Sequence, residues 1–302
     1  MPCSLNPFDA AAYCGMMRTM TQDSTIKITP IAGSLGAEVC GVDLRTMDNH
    51  AWAQVHQAFL DHKVIAVRDQ DLSPQDMMDI GARFGEPNHY PFVKGIDGFP
   101  FLFDVVKEPV ETKNFGGGWH SDTTYTKTPP LATLLYAIET PEKGGDTLYC
   151  DTAAAYDALS DRMKELLGTL KGVNSAGLKH LGGRKSHHAT VGGMAITGTD
   201  DADSFEAVHP IIRTIEETGQ KSIYCSRGHT IRFEGMTEEE SKPLIEWLQA
   251  HVTQPHFTCR VNWKPGTITI WDNRRTQHNA INDYQGMRRH MRRLTSGPTH
   301  PA

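Results

Sequence analysis

The chain has no excess of positive charge, no long apolar run and no paired-cysteine motif, and each absence removes a class of function. Thirty Lys and Arg stand against 36 Asp and Glu, a formal net charge of −6 at pH 7. That balance argues against a general affinity for nucleic-acid backbone or an acidic membrane surface. No apolar stretch approaches the roughly 20 residues a helix needs to span a bilayer. The N-terminus lacks a basic segment followed by an apolar run, so no signal peptide is expected. The six cysteines, Cys3, Cys14, Cys40, Cys150, Cys225 and Cys259, are scattered without a CxxC spacing. In a chain of 302 residues that scatter points to reduced thiols in a cytoplasmic protein rather than a disulfide framework. Neither an internal repeat nor a linker divides the sequence.

What is present is an ordinary globular composition, 38% hydrophobic and 22% charged, long enough to bury a sizeable core. Residues 1–24 carry no hydrophobic period and are expected to form a poorly ordered extension, with a single domain over 25–302. From Ile26 the chain alternates as a strand should (IKITPI), and GAEVCGVDL follows as a second short strand punctuated by Gly36 and Gly41. Asn49 to His62 reads as an amphipathic helix with Trp52, Val55, Phe59 and Leu60 on one side. VIAVRD is a buried strand, and Ser73-Pro74 opens a helix expected to end near Gly85.

Beyond that point β character dominates. FPFLFDVV, PLATLLYAI, DTLYCD, HFTCRVNW, TITIWD and RRHMRRLT are apolar or β-branched runs between Pro and Gly clusters. Helices AAAYDAL and DRMKELLGTL, the latter capped by Ser160, interrupt them, and a Thr237–Glu240 capping box opens a helix to about His251. The polar, Gly- and His-rich stretch Val173–Asp203 is a candidate active-site lid or a disordered loop. Many short strands with flanking helices predict a mainly β fold with a double-stranded β-helix core, the cupin-like jelly roll.

Chemistry concentrates in three places. In GGGWHSDTTY, His120 and Asp122 are two apart and would share a face on a strand. One imidazole and one carboxylate aimed together are two-thirds of a 2-His-1-carboxylate triad, which holds Fe(II) and leaves open positions. His278, in TITIWDNRRTQHN, is the sharpest candidate for the third ligand. The bland alternative is a turn-capping His and a local Asx turn. His187 and His188 are adjacent and would face opposite ways on a strand, which makes them poor joint ligands. In RRHMRR, alternation puts Arg289, Met291 and Arg293 on one face and Arg288, His290 and Arg292 on the other. Two inward guanidiniums would each need an anion; a solvated edge strand would need none, and both remain open at this point. Thr147, after the Gly144-Gly145 turn, is by itself an ordinary strand-start residue.

Together WHSDTTY, PPLATLLYAIETPEKGGDTLYCD, EGMTEEESKPLIEWL, WDNRRTQHNAINDY and the closing arginine pair resemble the Fe(II)/2-oxoglutarate-dependent taurine dioxygenase family. That family includes aryloxyalkanoate dioxygenases and alkylsulfatases, and the resemblance runs from about Ile26 to Leu294. It implies that His120, Asp122 and His278 hold iron. Arg289, eleven residues after His278, and Thr147 would bind the distal carboxylate of 2-oxoglutarate. Arg293, four residues further on, and His89 in EPNHYPF would meet the substrate's acidic group. The implied reaction takes O2 and a small anionic substrate (carboxylate, sulfonate or sulfate), yields succinate and carbon dioxide, and can end in C–O or C–S cleavage. Asp122 keeps the position a halide would need, so halogenation is disfavoured. Phe115-Gly116-Gly117-Gly118 replaces the polar Asp and Asn of taurine-specific relatives and offers no acceptor for an amine. Arg227 and His229, in SRGHTIRF, stand where relatives often carry aromatics. Taurine is therefore disfavoured. A homo-oligomer is expected, with no nucleic-acid or membrane partner; the competing class is a non-catalytic metal-holding β-barrel that binds an acidic ligand.

Overall fold

The computed structural model describes residues 26–177, 183–189 and 191–302. The expected extension over 1–24, and 178–182 and 190 within Val173–Asp203, lie outside those residues. The chain opens with β1 (Lys27–Pro30), β2 (Ala37–Cys40), α1 (Asn49–His62), β3 (Val64–Val67) and α2 (Pro74–Ala82). Next come β4 (Phe103–Lys107), β5 (Pro130–Glu139), β6 (Thr147–Asp151), α3 (Thr152–Asp157), α4 (Asp161–Gly168), β7 (Lys171–Ser175) and α5 (Arg184–His188). The remainder comprises β8 (Glu206–Pro210), β9 (Ile212–Thr214), β10 (Lys221–Ile223), β11 (Thr230–Phe233) and α6 (Glu238–Val252). Strands β12 (Thr258–Val261), β13 (Ile268–Asp272), β14 (Thr276–Ala280) and β15 (Arg289–Pro298) close it.

A seven-stranded sheet of order β1-β2-β3-β13-β5-β15-β4 forms the large wall, and β12-β6-β14 forms the small one. Among the described strands only β2 and β3 pair in parallel, with α1 as the crossover between them. Trp271, Leu135 and Met291 from the large sheet meet Tyr149, Cys259 and Val261 from the small one in a shared core. This is the jelly-roll arrangement, with the space between the two sheets available to a site.

The helices buttress from outside. On α1, Val55, Ala58 and Phe59 pack with Met77 and Ile80 of α2 against the outer face of the large sheet. That accounts for β3, whose four residues are all buried: both of its faces are covered. Asp48 caps α1 through Ala51 N at 2.8 Å. Ser73 and Asp76 form a capping box on α2, which ends at Ala82 and tightens into i→i+3 bonds at Arg83 and Phe84 before Gly85. Helix α6 starts from the expected Thr237/Glu240 box and packs with α3 and α4 on a third apolar cluster.

Candidate metal centre and anion sites

Strand β14 carries His278 into the space between the sheets, paired with Tyr149 of β6. His120 reaches the same place without belonging to a strand, which corrects the strand-face expectation. It forms one isolated antiparallel bridge with His278: His120 N–H donates to His278 O at 3.1 Å, and His278 N–H returns the bond at 2.9 Å. The Ser121 hydroxyl donates to Thr276 O at 2.8 Å and fixes the crossing. The chain then turns, with Thr123 in the left-handed region at φ 45°, and Asp122, at the head of that turn, faces the imidazoles. His120 Nε2 and His278 Nε2 lie 3.7 and 3.6 Å from Asp122 Oδ1. All three candidate ligand atoms fall within 4.8 Å of one another.

Protonation suits a divalent cation. Burial pulls both imidazoles below the ordinary histidine value, His278 furthest, against the opposing pull of Asp122. Burial would raise the Asp122 carboxyl, but Arg293, His278 and His120 outweigh it and hold it well below the usual carboxylate range. Two neutral imidazoles and one carboxylate are the protonation states metal binding requires. His120 Nδ1 sits 2.8 Å from Gly118 O, so it holds the proton there and leaves Nε2 free to ligate. Asp122 Oδ2 accepts from the Thr133 hydroxyl at 2.7 Å, Thr133 Oγ1 accepts from Asn273 Nδ2 at 2.7 Å, and Asn273 Oδ1 accepts from Trp271 Nε1 at 3.0 Å. This chain of bonds orients the carboxylate so that Oδ1 faces the two imidazoles.

The 288–293 alternation resolves in favour of one face. Arg289, Met291 and Arg293 are buried. Arg288 pairs with Glu108 and Glu139, and Arg292 and His290 pair with Asp104, all partly exposed. Arg289 lies between the sheets, its Nε and Nη2 without hydrogen-bond partners among the described residues. Burial lowers the proton affinity of its guanidinium. Trp263 joins it to Thr147: the indole N–H donates to Thr147 Oγ1 at 3.0 Å, and Arg289 Cζ is 5.6 Å from the same ring. A buried cation without an anion beside a hydroxyl fits the distal carboxylate of 2-oxoglutarate. Arg293 is placed differently, its Nη2 2.5 Å from Asp122 Oδ1, so it stands at the edge of the metal centre.

On that edge opens a cavity of about 410 Å³. Tyr90, Phe115, Trp119 and Tyr125 supply its apolar wall, and Gly116–Gly118 one side. Arg184, Arg227, Arg293, His188 and His229 also face it, with Asp122 as the one carboxylate among the described residues. His89 is exposed and does not line the cavity; its neighbour Tyr90 does. His188 belongs to a helix, α5, rather than to a strand. Gly228 packs so closely that a Cβ there would lie 2.8 Å from His120 Cβ. Sequence reasoning missed Tyr90, Thr133, Arg184, Gly228, Trp263 and Asn273. Each lay in a stretch already singled out (Tyr90 in EPNHYPF, Thr133 in PPLATLLYAI, Arg184 in Val173–Asp203, Gly228 in SRGHTIRF, Trp263 in HFTCRVNW and Asn273 in WDNRRTQHN), but none was itself selected.

The fold and this centre define a member of the non-haem iron oxygenases. Residues 27–295 match the family described as taurine catabolism dioxygenase TauD, TfdA family, and the chain belongs to it. It is 32% identical over 284 residues to an alkylsulfatase of Acinetobacter baylyi, covering 92% of this chain and 88% of that protein. It is also 32% identical to an alpha-ketoglutarate-dependent sulfate ester dioxygenase of Pseudomonas putida, covering 89% of each. A taurine dioxygenase structure from Burkholderia xenovorans superposes with a TM-score of 0.76 at 30% identity, over 92% of this chain and 91% of that one. The protein is an Fe(II)- and 2-oxoglutarate-dependent dioxygenase.

Proposed function

We propose that the substrate is a sulfate ester or sulfonate with an apolar tail, held by its head group at Arg293 and oxidised at the carbon bearing the heteroatom. One observation carries this reading: two separate anion poles flank His120, Asp122 and His278. Arg289 with Thr147 lies between the sheets on one side, and Arg293 lies on the cavity side. When bound, Fe(II) and 2-oxoglutarate supply the oxidation, consuming O2, releasing succinate and carbon dioxide and delivering one oxygen atom to the substrate carbon.

The chain's own residues position and shield. His120, Asp122 and His278 hold the metal on one face, with Thr133 fixing the carboxylate. Arg289 and Thr147 anchor the far end of 2-oxoglutarate. Arg293 fixes the substrate's anion, and Tyr90, Phe115, Trp119 and Tyr125 keep water from the tail. With a sulfate ester, hydroxylation at the carbon bearing the ester oxygen gives an adduct that expels sulfate and leaves an aldehyde. Gly116–Gly118 offers no side-chain acceptor for an ammonium, which counts against taurine. The two 32% identical relatives support sulfate esters over planar carboxylates.

No described helix is long and apolar enough to cross a membrane. A cytoplasmic setting belongs to the same reading, supported by the scattered free thiols. A homo-oligomer belongs to it as well, supported by the exposed Leu166 of α4 and Trp247 of α6. The test is a panel of alkyl sulfates, sulfonates, aryloxyalkanoates and plain carboxylates assayed for succinate. Sulfate and succinate released in equal amounts from alkyl sulfates are the expected result. Succinate release that favours carboxylates would overturn the substrate assignment.

A further inference from the structure

Arg184 is a buried guanidinium, 4% exposed, that faces the cavity and has no carboxylate partner among the described residues. Its Nε donates to Ala176 O at 2.6 Å, and its Nη1 lies 3.3 Å from both Tyr90 Oη and His188 Nε2. The plane rests on aromatic rings, with Cζ 4.2 Å from the Phe92 centroid and 5.3 Å from that of Tyr125. None of these contacts neutralises the charge, and a buried cation without an anion is costly. Arg293 approaches Tyr90 by another route, with Cζ 5.9 Å from the ring centroid. The two guanidiniums thus meet Tyr90 at its hydroxyl and at its ring.

We propose that Arg184 is a second guanidinium for the substrate's anionic head, clasping it together with Arg293 and favouring three-oxygen heads over carboxylates. This rests on the reading above that the cavity takes an anionic substrate. A carboxylate offers two oxygens in one plane, and a single guanidinium satisfies them bidentately. A sulfate ester or sulfonate offers three oxygens directed apart, so guanidiniums from two directions each find one. The exposed His89 leaves the head group without the imidazole that the sequence suggested, and Arg184 supplies the missing donor.

The experiment compares wild type, Arg184→Leu and Arg184→Lys by calorimetry with octyl sulfate and octanoate. The full chain is loaded anaerobically with Fe(II) and 2-oxoglutarate, and its visible charge-transfer absorption reports cosubstrate binding. Arg184→Leu is expected to weaken octyl sulfate ~30-fold and octanoate no more than ~3-fold, with Arg184→Lys between and the absorption retained. Equal weakening of both probes with a lower melting temperature would make Arg184 a packing strut and overturn the proposal. Unchanged octyl sulfate affinity would overturn it too. If wild type shows the absorption but binds neither probe, the head-group proposal falls while the assignment of the metal and cosubstrate stands. If the absorption never forms, the assignment beneath it fails, and the proposal with it.

Discussion

Two pairs of buried arginines sit about fifteen residues apart in the sequence, and their surroundings are opposite. Arg274 and Arg275 both converge on Asp272: Arg274 Nε at 2.9 Å and Nη2 at 3.0 Å, Arg275 Nε at 2.9 Å. Arg274 also holds Glu217 at 2.6 Å, and Arg275 holds Gln220 at 2.7 Å. That cluster braces the corner where β13 leaves the large sheet and β14 enters the small one, immediately before His278. Arg289 and Arg293 are equally buried, but Arg289 has no carboxylate among the described residues and Arg293 has only a candidate metal ligand. Burial alone therefore does not separate a structural arginine from a binding one; what the guanidinium faces does. A buried arginine that has its carboxylate is costly to the fold only when the pair is broken, whereas one without an anion costs stability until a ligand arrives.

The sharpest way to break that contrast is to remove Asp272. Asp272→Ala leaves buried Arg275 without a carboxylate and Arg274 with Glu217 alone, and losing one side of a buried ion pair costs about 3–5 kcal/mol. Denaturant unfolding should show a loss of that size, and a loss under about 1 kcal/mol would mean that the corner tolerates uncompensated charge. Arg289→Met should behave in the opposite way. Unfolding stability without ligand should hold or rise, because a buried unpaired cation is replaced by an apolar chain of similar reach. Affinity for 2-oxoglutarate should fall about 100-fold, as when one partner of a buried charge pair is truncated. Titrating the charge-transfer absorption measures it. A destabilised Arg289→Met with unchanged 2-oxoglutarate affinity would place Arg289 with the structural pair.

The same contrast explains what the sequence disclosed. The strand face carrying Arg289 and Arg293 follows from period-two alternation, but choosing the inward face required the ion pairs of Arg288 and Arg292 or the family resemblance. His278 was legible because an apolar strand runs directly into its turn. His120 and Asp122 were found for a partly wrong reason. They converge at one isolated β-bridge to His278 and the head of the turn that follows, and a bridge outside any strand has no period to read in the sequence. The cavity wall was the least legible part. Tyr90, Arg184 and Gly228 come from loops and a five-residue helix, where no period fixes direction, and the choice of His89 missed by one residue.

Acid should erode the structural pair selectively. Burial would raise the Asp272 carboxyl, yet Arg274 and Arg275 bring it down to about 2 from an ordinary 3.8. A carboxyl with a depressed folded-state value contributes stability above its unfolded value and loses it as pH falls through the folded one. The cluster is therefore fully stabilising above about pH 4 and fades towards pH 2, a change of about 2 kcal/mol. Unfolding free energy measured across that window should fall more steeply in wild type than in Asp272→Asn, which has no proton to take up there. Parallel slopes would mean that Asp272 is not held low.

The smallest expected effect tests whether bonds around the metal centre belong with the structural group or the functional one. Thr133 holds Asp122 Oδ2 and is itself held by Asn273, so Thr133→Val keeps the shape of the side chain and removes both bonds. The loss to the fold should be about 1 kcal/mol, the ordinary value of a buried hydrogen bond. If the chain exists to aim the carboxylate, iron affinity measured by chelator competition should fall further than the fold does, by about 10-fold, the lower end for bonds behind a metal ligand. Asn273→Ala should give a weaker version, because Thr133 can still donate to Asp122 once its own partner is gone. Iron affinity unchanged in both variants, with only the stability loss, would leave Trp271, Asn273 and Thr133 as part of the same brace as Asp272.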